Sequence, residues 1–295
     1  MNIYIVESPL QIICAYESIL QNKTDYCLYI RLTGRGRNDE QTILCAKYFD
    51  IRYKIFKFYP NKKFLHFFIN MLFWFELLLK PTNNLYLGSL FSNTLKILRK
   101  INKSKKVIYL DDGAATLRAY ELMKKKIMPK ENLFTFFNTS GDHSLNVEVH
   151  NFTEIRKTLV NQETDFDYFI GQPYQHMLGF ERADYISCLM GVASKYTQSK
   201  PLIYIPHRME DTQYIEKFKN LKILKLDLPI ELYFLKNNKG YPKKIYSCYS
   251  SALVTLHLFY PKTEVFAIHH DKSMHSELTT VYNYMERNGI QCLKF

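Results

Sequence analysis

Three short motifs in this 295-residue chain carry side chains able to do chemistry at places where strands should end. The first is Asp111-Asp112-Gly113. A carboxylate at a strand exit, turned by a following glycine, can take a proton from a hydroxyl. The same dipeptide also makes ordinary Asx turns. The second motif is Pro206-His207-Arg208. Pro206 stiffens a strand exit, and His207 and Arg208 could face a leaving phosphate, where a cation or donor offsets developing negative charge. A surface loop before an acidic helix turn accounts for the same residues. The third is Ser250-Ser251. Two hydroxyls at a helix start suit phosphate, because free backbone N–H groups point the same way; serine also serves there as a plain N-cap. Two further features are weaker. Gly171 in Gly171-Gln172-Pro173 could let a backbone approach a nucleotide closely, and Glu231 in Pro229-Ile230-Glu231 could face a ribose or base.

The elements that must hold these residues alternate. Strands are expected at Asn2–Val6, Tyr26–Arg31, Tyr53–Phe58, Asn84–Gly88 and Lys106–Leu110, with helices at Leu10–Leu20, Asp39–Phe49, Phe64–Leu79 and Ser92–Ile101 between them. After a lysine-rich helix and irregular segments the pattern restarts. It gives strands at Tyr168–Gly171, Leu202–Ile205, Lys222–Leu224, Lys244–Cys248 and Val265–Ile268, and helices at Ala183–Lys195, Asp211–Phe218 and after Ser251. This alternation predicts an α/β protein of two facing Rossmann-like domains, at residues 1–160 and 161–295. Ligands bind such sheets at the carboxyl ends of strands, where all three motifs fall.

Composition narrows the function. The net charge of +12 favours polyanions of any kind, and much of it is clustered at Lys96, Arg99, Lys100, Lys103, Lys105 and Lys106 and at Lys124–Lys126 with Lys130. A solvated lysine face and a peripheral contact with an anionic membrane both fit these clusters; no RNA-binding motif accompanies them. The apolar run Phe64–Leu79 is short for a span and contains His66, Asn70 and Glu76, so a buried helix is expected, with a monotopic helix as the alternative. The N-terminus lacks the basic start and cleavage site of a signal peptide, and a cytoplasmic location is expected. The six cysteines form no CxxC pair and read as buried reduced thiols, and neither they nor the histidines show metal-ligand spacing. Phosphate-loop, dinucleotide, GxSxG and HExxH motifs are absent.

In their order and strand-end placement, Asp111-Asp112-Gly113, His207 and Ser250-Ser251 resemble the motifs of bacterial sialyltransferases of the two-Rossmann (GT-B) type. Glycosyltransferase family 52 and the capsule polysialyltransferases are the nearest likeness. Ser8-Pro9-Leu10-Gln11 and Phe169-Ile170-Gly171-Gln172-Pro173 also look like that group. The chain departs from it in having Arg208 after the histidine and its proline, Pro206, before it. The resemblance implies a GT-B fold with a cleft between the domains and a CMP-activated nonulosonic acid, such as CMP-N-acetylneuraminate, as donor. A bacterial surface glycan is the implied acceptor. It implies Asp112 as general base, with Gln11 and Asp111 on the acceptor side. It implies His207 at the departing phosphate, and Ser250, Ser251, Gly171, Glu231 and Arg208 around the donor. Inversion at the sugar, no metal, no cofactor and no nucleic-acid partner go with it. Kdo, legionaminic or pseudaminic acid as the sugar, or a non-catalytic binding protein on the same scaffold, are the rival expectations.

Overall fold

The structure is a computed structural model that describes residues 1–57, 64–65, 68, 70–80, 82–138, 145–173, 181–207, 210–236, 240–269 and 276–294. The chain divides into two compact units, Met1–Lys157 and Thr158–Phe295.

The first unit is a seven-stranded sheet. Its strands are β1 (Asn2–Val6), β2 (Tyr26–Leu32), β3 (Tyr53–Lys57), β4 (Asn84–Leu87), β5 (Lys106–Tyr109), β6 (Asn132–Thr135) and β7 (Val147–Val149). They run parallel in the order β3-β2-β1-β4-β5-β6-β7. Every residue of β1 is buried, as expected of a central parallel strand covered on both faces. On one face Tyr4 stacks on Tyr86, ring centroids 4.4 Å apart, and its hydroxyl pairs with Ser18 of the helix Pro9–Asn22. That helix opens with Pro9, whose missing N–H costs nothing in a first turn. On the other face Ile3, Ile5, Leu85, Leu87 and Tyr109 meet Phe73, Trp74, Leu77, Leu95, Leu98 and Met123 from the helices Met71–Leu79, Asn93–Ile101 and Ala114–Lys124.

The second unit is a six-stranded parallel sheet. Its strands are β8 (Asp167–Ile170), β9 (Leu202–Ile205), β10 (Leu221–Ile223), β11 (Lys244–Ser247), β12 (Glu264–His269) and β13 (Gln291–Lys294), in the order β10-β9-β8-β11-β12-β13. Helices Arg182–Ala193, Ile230–Lys236, Ser251–Phe259 and Ser276–Arg287 accompany it.

The structure differs from the sequence expectation in four respects. β6, β7 and β13 are further short strands that were not expected from the sequence. The helices Ile230–Lys236 and Ser276–Arg287 were not foreseen. Asp211–Phe218 forms turns rather than the expected helix, closed by bonds such as Ile215 N–H to Thr212 O. Met71–Leu79 is not simply buried: Phe73, Trp74 and Leu77 are, while Leu72, Phe75 and Leu79 face out. A helix apolar on all sides gives no moment from which its inner face could be read. No helix among the described residues is long and apolar enough to cross a membrane. No cysteine is in a disulfide: Cys14, Cys45, Cys188 and Cys248 are buried, and Cys27 and Cys292 half-buried.

Candidate functional site

In the first unit the strand order reverses between β1 and β4, and the crevice at such a switch point is where open α/β sheets bind ligands. Glu7 and Ser8 leave β1 there and Gly88 leaves β4, while Asp111-Asp112-Gly113 leaves the adjacent β5. Gly113 has φ 65° and ψ −144°, a backbone that side-chain-bearing residues avoid, and it turns the chain directly into the helix Ala114–Lys124. The backbone N–H of Asp112 donates to Thr116 Oγ1 at 2.9 Å, which fixes the turn from the helix side.

The Asp112 carboxylate is half-buried and held at one oxygen. Gln11 Nε2 donates to Asp112 Oδ1 at 2.8 Å, and Gln11 Oε1 accepts the backbone N–H of Glu7 at 2.7 Å. The second bond settles the amide's orientation, since only its oxygen can accept. Gly88 provides the space: a Cβ there would lie 1.9 Å from Gln11 Oε1. Among the described residues Asp112 Oδ2 accepts no hydrogen bond, so this oxygen keeps its lone pairs for an incoming hydroxyl. Beside it, Glu7 pairs with Arg31 Nη1 at 2.5 Å and accepts from Ser92 Oγ at 2.9 Å, and the Asn38 amide donates to the Glu7 carbonyl. Burial pushes the Glu7 carboxyl above its ordinary range, with the Arg31 charge the largest opposing influence. Sequence reasoning passed over Glu7 and Arg31; the charged residue directly after the apolar run Ile3–Val6 was the available signal for the first.

Asp111 points the other way and is fully buried. Its oxygens accept from Thr135 Oγ1 and from the Phe136 N–H, both at 2.6 Å. Burial pushes its carboxyl up to about 7. Its neighbour His150 lies 3.9 Å away, stacked on Phe134 with centroids 4.2 Å apart, and both of its ring nitrogens are buried without a hydrogen-bond partner. Burial lowers His150 to about 3. With Cys14 Sγ, these groups form the one cluster among the described residues whose ligand atoms lie within 4.8 Å of one another. Sequence spacing hides it, since positions 14, 111 and 150 meet only through the sheet order. A metal there would have to compete with Thr135 and Phe136 for the Asp111 oxygens. Burial favours the neutral forms of Asp111 and His150, as an apolar interior demands of ionisable groups.

In the second unit the order reverses between β8 and β11. Gly171 leaves β8 and Ser250 lies just beyond β11, so both flank the switch point, and His207 leaves β9 next to β8. Ser250 is the N-cap of the helix Ser251–Phe259: its Oγ accepts the Ala252 N–H at 3.2 Å, and Ser251 is the first helical residue. Capping therefore occupies one lone pair of Ser250 and leaves its O–H to donate. Half-buried His207 donates its backbone N–H to Glu210 Oε2 at 3.0 Å. Glu210 Oε1 accepts from Tyr204 at 2.5 Å and from Tyr214 at 2.6 Å. Tyr204 and Tyr185 share a 2.8 Å bond, and the Gln172 N–H reaches Tyr185 at 3.1 Å. Since Tyr204 spends its proton on Glu210, Tyr185 donates to Tyr204, giving one directed chain from the β8 exit to the His207 loop. Gly171 belongs to this chain as its spacer: a Cβ would lie 2.3 Å from Glu210 Oε2 and 2.5 Å from the Tyr204 hydroxyl. Glu231 is buried in the first turn of Ile230–Lys236. Arg208 lies outside the described residues.

The chain is similar in structure to the E. coli heptosyltransferase WaaC with ADP, with a TM-score of 0.51 at 9% identity, covering 100% of this chain and 93% of that one. The fold is GT-B. Acinetobacter baumannii MurG also aligns, with a TM-score of 0.49 at 12% identity over 99% of this chain and 85% of that one. No protein-family model and no curated protein sequence matches. On the GT-B scaffold the structure brings Gln11 onto Asp112 within the first unit. Within the second it places His207, Gly171 and Ser250 at the ends of three adjacent strands, β9, β8 and β11. Glu210, Tyr185 and Tyr204 tie the β8 and β9 exits together; the two tyrosines were missed because a tyrosine inside an apolar strand or helix reads as core.

Proposed function

We propose that this chain is an inverting glycosyltransferase that moves a nonulosonic acid, N-acetylneuraminate first among them, from its CMP conjugate to a hydroxyl of a bacterial surface glycan, from a cytoplasmic location. The observation that carries the reading is the half-buried Asp112 carboxylate at the strand ends, anchored at Oδ1 by Gln11, with no hydrogen bond to Oδ2 among the described residues. In this reading Oδ2 takes the proton of the acceptor hydroxyl as its oxygen attacks the anomeric carbon. The bond from that carbon to the CMP phosphate oxygen breaks on the opposite side, so a β-linked donor gives an α-linked product. His207 donates to the departing phosphate. Ser250, Ser251 and the N–H groups opening Ser251–Phe259 hold that phosphate, with Gly171, Glu231 and Arg208 around the nucleoside. CMP leaves as a monophosphate and needs less charge neutralisation than a diphosphate. Turnover is therefore expected to persist in EDTA, and loss in EDTA with recovery on added magnesium or manganese overturns that part.

The test is CMP release by the purified chain with a panel of CMP-sugars and a defined acceptor. Turnover with CMP-N-acetylneuraminate supports the reading. Turnover with CMP-Kdo, or with legionaminic or pseudaminic conjugates, corrects the sugar alone. Activity only with UDP- or ADP-sugars keeps a glycosyltransferase and removes the CMP donor. No turnover with any sugar nucleotide leaves a binding protein. With Ser250 and Ser251 both changed to alanine, CMP affinity is expected to fall about tenfold or more in calorimetry, the scale of one or two hydrogen bonds to a charged group.

Gln11 is the positioning residue for the base. Gln11→Leu keeps the buried volume and removes the bond to Asp112, and kcat is expected to fall by about 10²-fold, as for a misplaced catalytic group. The substitution also takes away the acceptor of the Glu7 N–H, so the thermal transition is followed alongside the kinetics. The donor KM is expected to stay near wild type while kcat falls, which separates positioning of the base from a general loss of structure. An Asp112-dependent enzyme whose Gln11→Leu variant keeps the wild-type kcat removes this role and leaves the base intact.

A further inference from the structure

The helix Met71–Leu79 has the sequence MLFWFELLL, with one polar side chain, Glu76. Its inner side, Phe73, Trp74 and Leu77, packs in the same core as Leu95 and Leu98 of Asn93–Ile101 and Met123 of Ala114–Lys124. The three helices thus form one layer on one face of the first sheet. Asn102, capping the second of them, donates its Nδ2 to Leu77 O at 3.0 Å and joins it to the first. On the outer side Leu72 is 81% exposed, Phe75 53% and Leu79 77%, with Phe64 at 87% just before them. Large apolar side chains exposed side by side mark a surface that docks on something.

The surrounding charge decides what that is. Exposed Lys96 and Lys100 lie on the second helix of the layer and Lys103 just past its end, and Lys124–Lys126 close the third. Glu76, the one acid on the apolar helix, is neutralised by Lys54 and Lys80. We propose that this layer is a docking surface for an anionic lipid bilayer: Leu72, Phe75 and Leu79 enter the headgroup–acyl boundary while the lysines meet the lipid phosphates. A second copy of the chain is disfavoured as occupant, because two such faces brought together would set lysines against lysines.

The experiment is flotation of the full chain with vesicles of phosphatidylglycerol and phosphatidylethanolamine, against vesicles of phosphatidylcholine alone. The wild type is expected to float with the anionic vesicles and not with the neutral ones. The triple variant Leu72→Asn/Phe75→Asn/Leu79→Asn changes only exposed side chains. It is expected to keep the wild-type thermal transition and lose flotation at every salt concentration. Lys96→Ser/Lys100→Ser/Lys103→Ser is expected to weaken binding about fivefold per lysine, the scale of one cation near an anionic surface. Three outcomes overturn the proposal: a wild type that ignores anionic vesicles, an apolar triple variant that binds as the wild type does, or a wild-type dimer in sedimentation that the apolar variant turns into a monomer. Binding is the readout throughout, so the result is independent of whether Asp112 performs sugar transfer.

Discussion

Asp112→Asn is expected to remove most transfer while leaving the fold and CMP binding in place. The variant keeps the side chain's size and the Gln11 contact, because an amide oxygen can still accept from Gln11 Nε2 at the 2.8 Å position. It loses the capacity to hold a proton from the acceptor. General-base catalysis contributes roughly 10²–10⁴-fold, so kcat should drop by that order with one defined acceptor. The comparison is with Asp111→Asn, which lies on the other side of the strand exit and is fully buried. If Asp111→Asn is inactive at wild-type stability and Asp112→Asn turns over normally, the base is the wrong carboxylate. If both variants and His207→Ala stay active, the reaction centre lies elsewhere. His207→Ala is expected to lower both turnover and donor affinity, because it acts at the phosphate.

The second large effect is on stability against pH, from Asp111 and His150 together. Asp111 is raised from 3.8 to about 7 in the folded chain, so its contribution is fully present below about pH 4 and is lost as pH rises through 7. His150 is lowered from 6.5 to about 3, so its contribution is present above about pH 6.5 and is lost as pH falls through 3. Between pH 4 and 6.5 the folded chain holds one extra proton on Asp111 and lacks one on His150, and the two slopes cancel. His150→Phe, which keeps a ring against Phe134, removes one side of the balance. The variant's own stability should fall by about 1.4 kcal/mol per pH unit from pH 4 toward 7, whereas the wild type's stays level up to about pH 6.5. Asp111→Asn should show the opposite slope from pH 3 to 6.5. Urea unfolding across this range measures both. Variants whose curves run parallel to the wild type would mean that neither group changes its proton affinity on folding.

The parts of the fold that sequence revealed are those set by local pattern. β1 and β9 sit where their apolar β-branched runs place them, and Ser92 and Ser250 open helices as caps. Asp112, His207 and Ser250 follow strands because a polar or turn-forming cluster after an apolar run must leave the sheet.

Tertiary structure decided everything that depends on which strands are neighbours. Gln11 reaches Asp112 across 101 positions because β1, β4 and β5 lie side by side, and no local period encodes that order. The same order puts Glu7 and Gly88 at the switch point and gathers Cys14, Asp111 and His150. The layers of helix on each face determine that Asp111 is the buried carboxylate and Asp112 the half-open one. For Met71–Leu79 the sequence is apolar all round, so only packing against Leu95 and Leu98 could select which side turns inward and which is left for another surface. Local periodicity reports the energy of a segment against water; the choice of partner is made by the whole sheet at once.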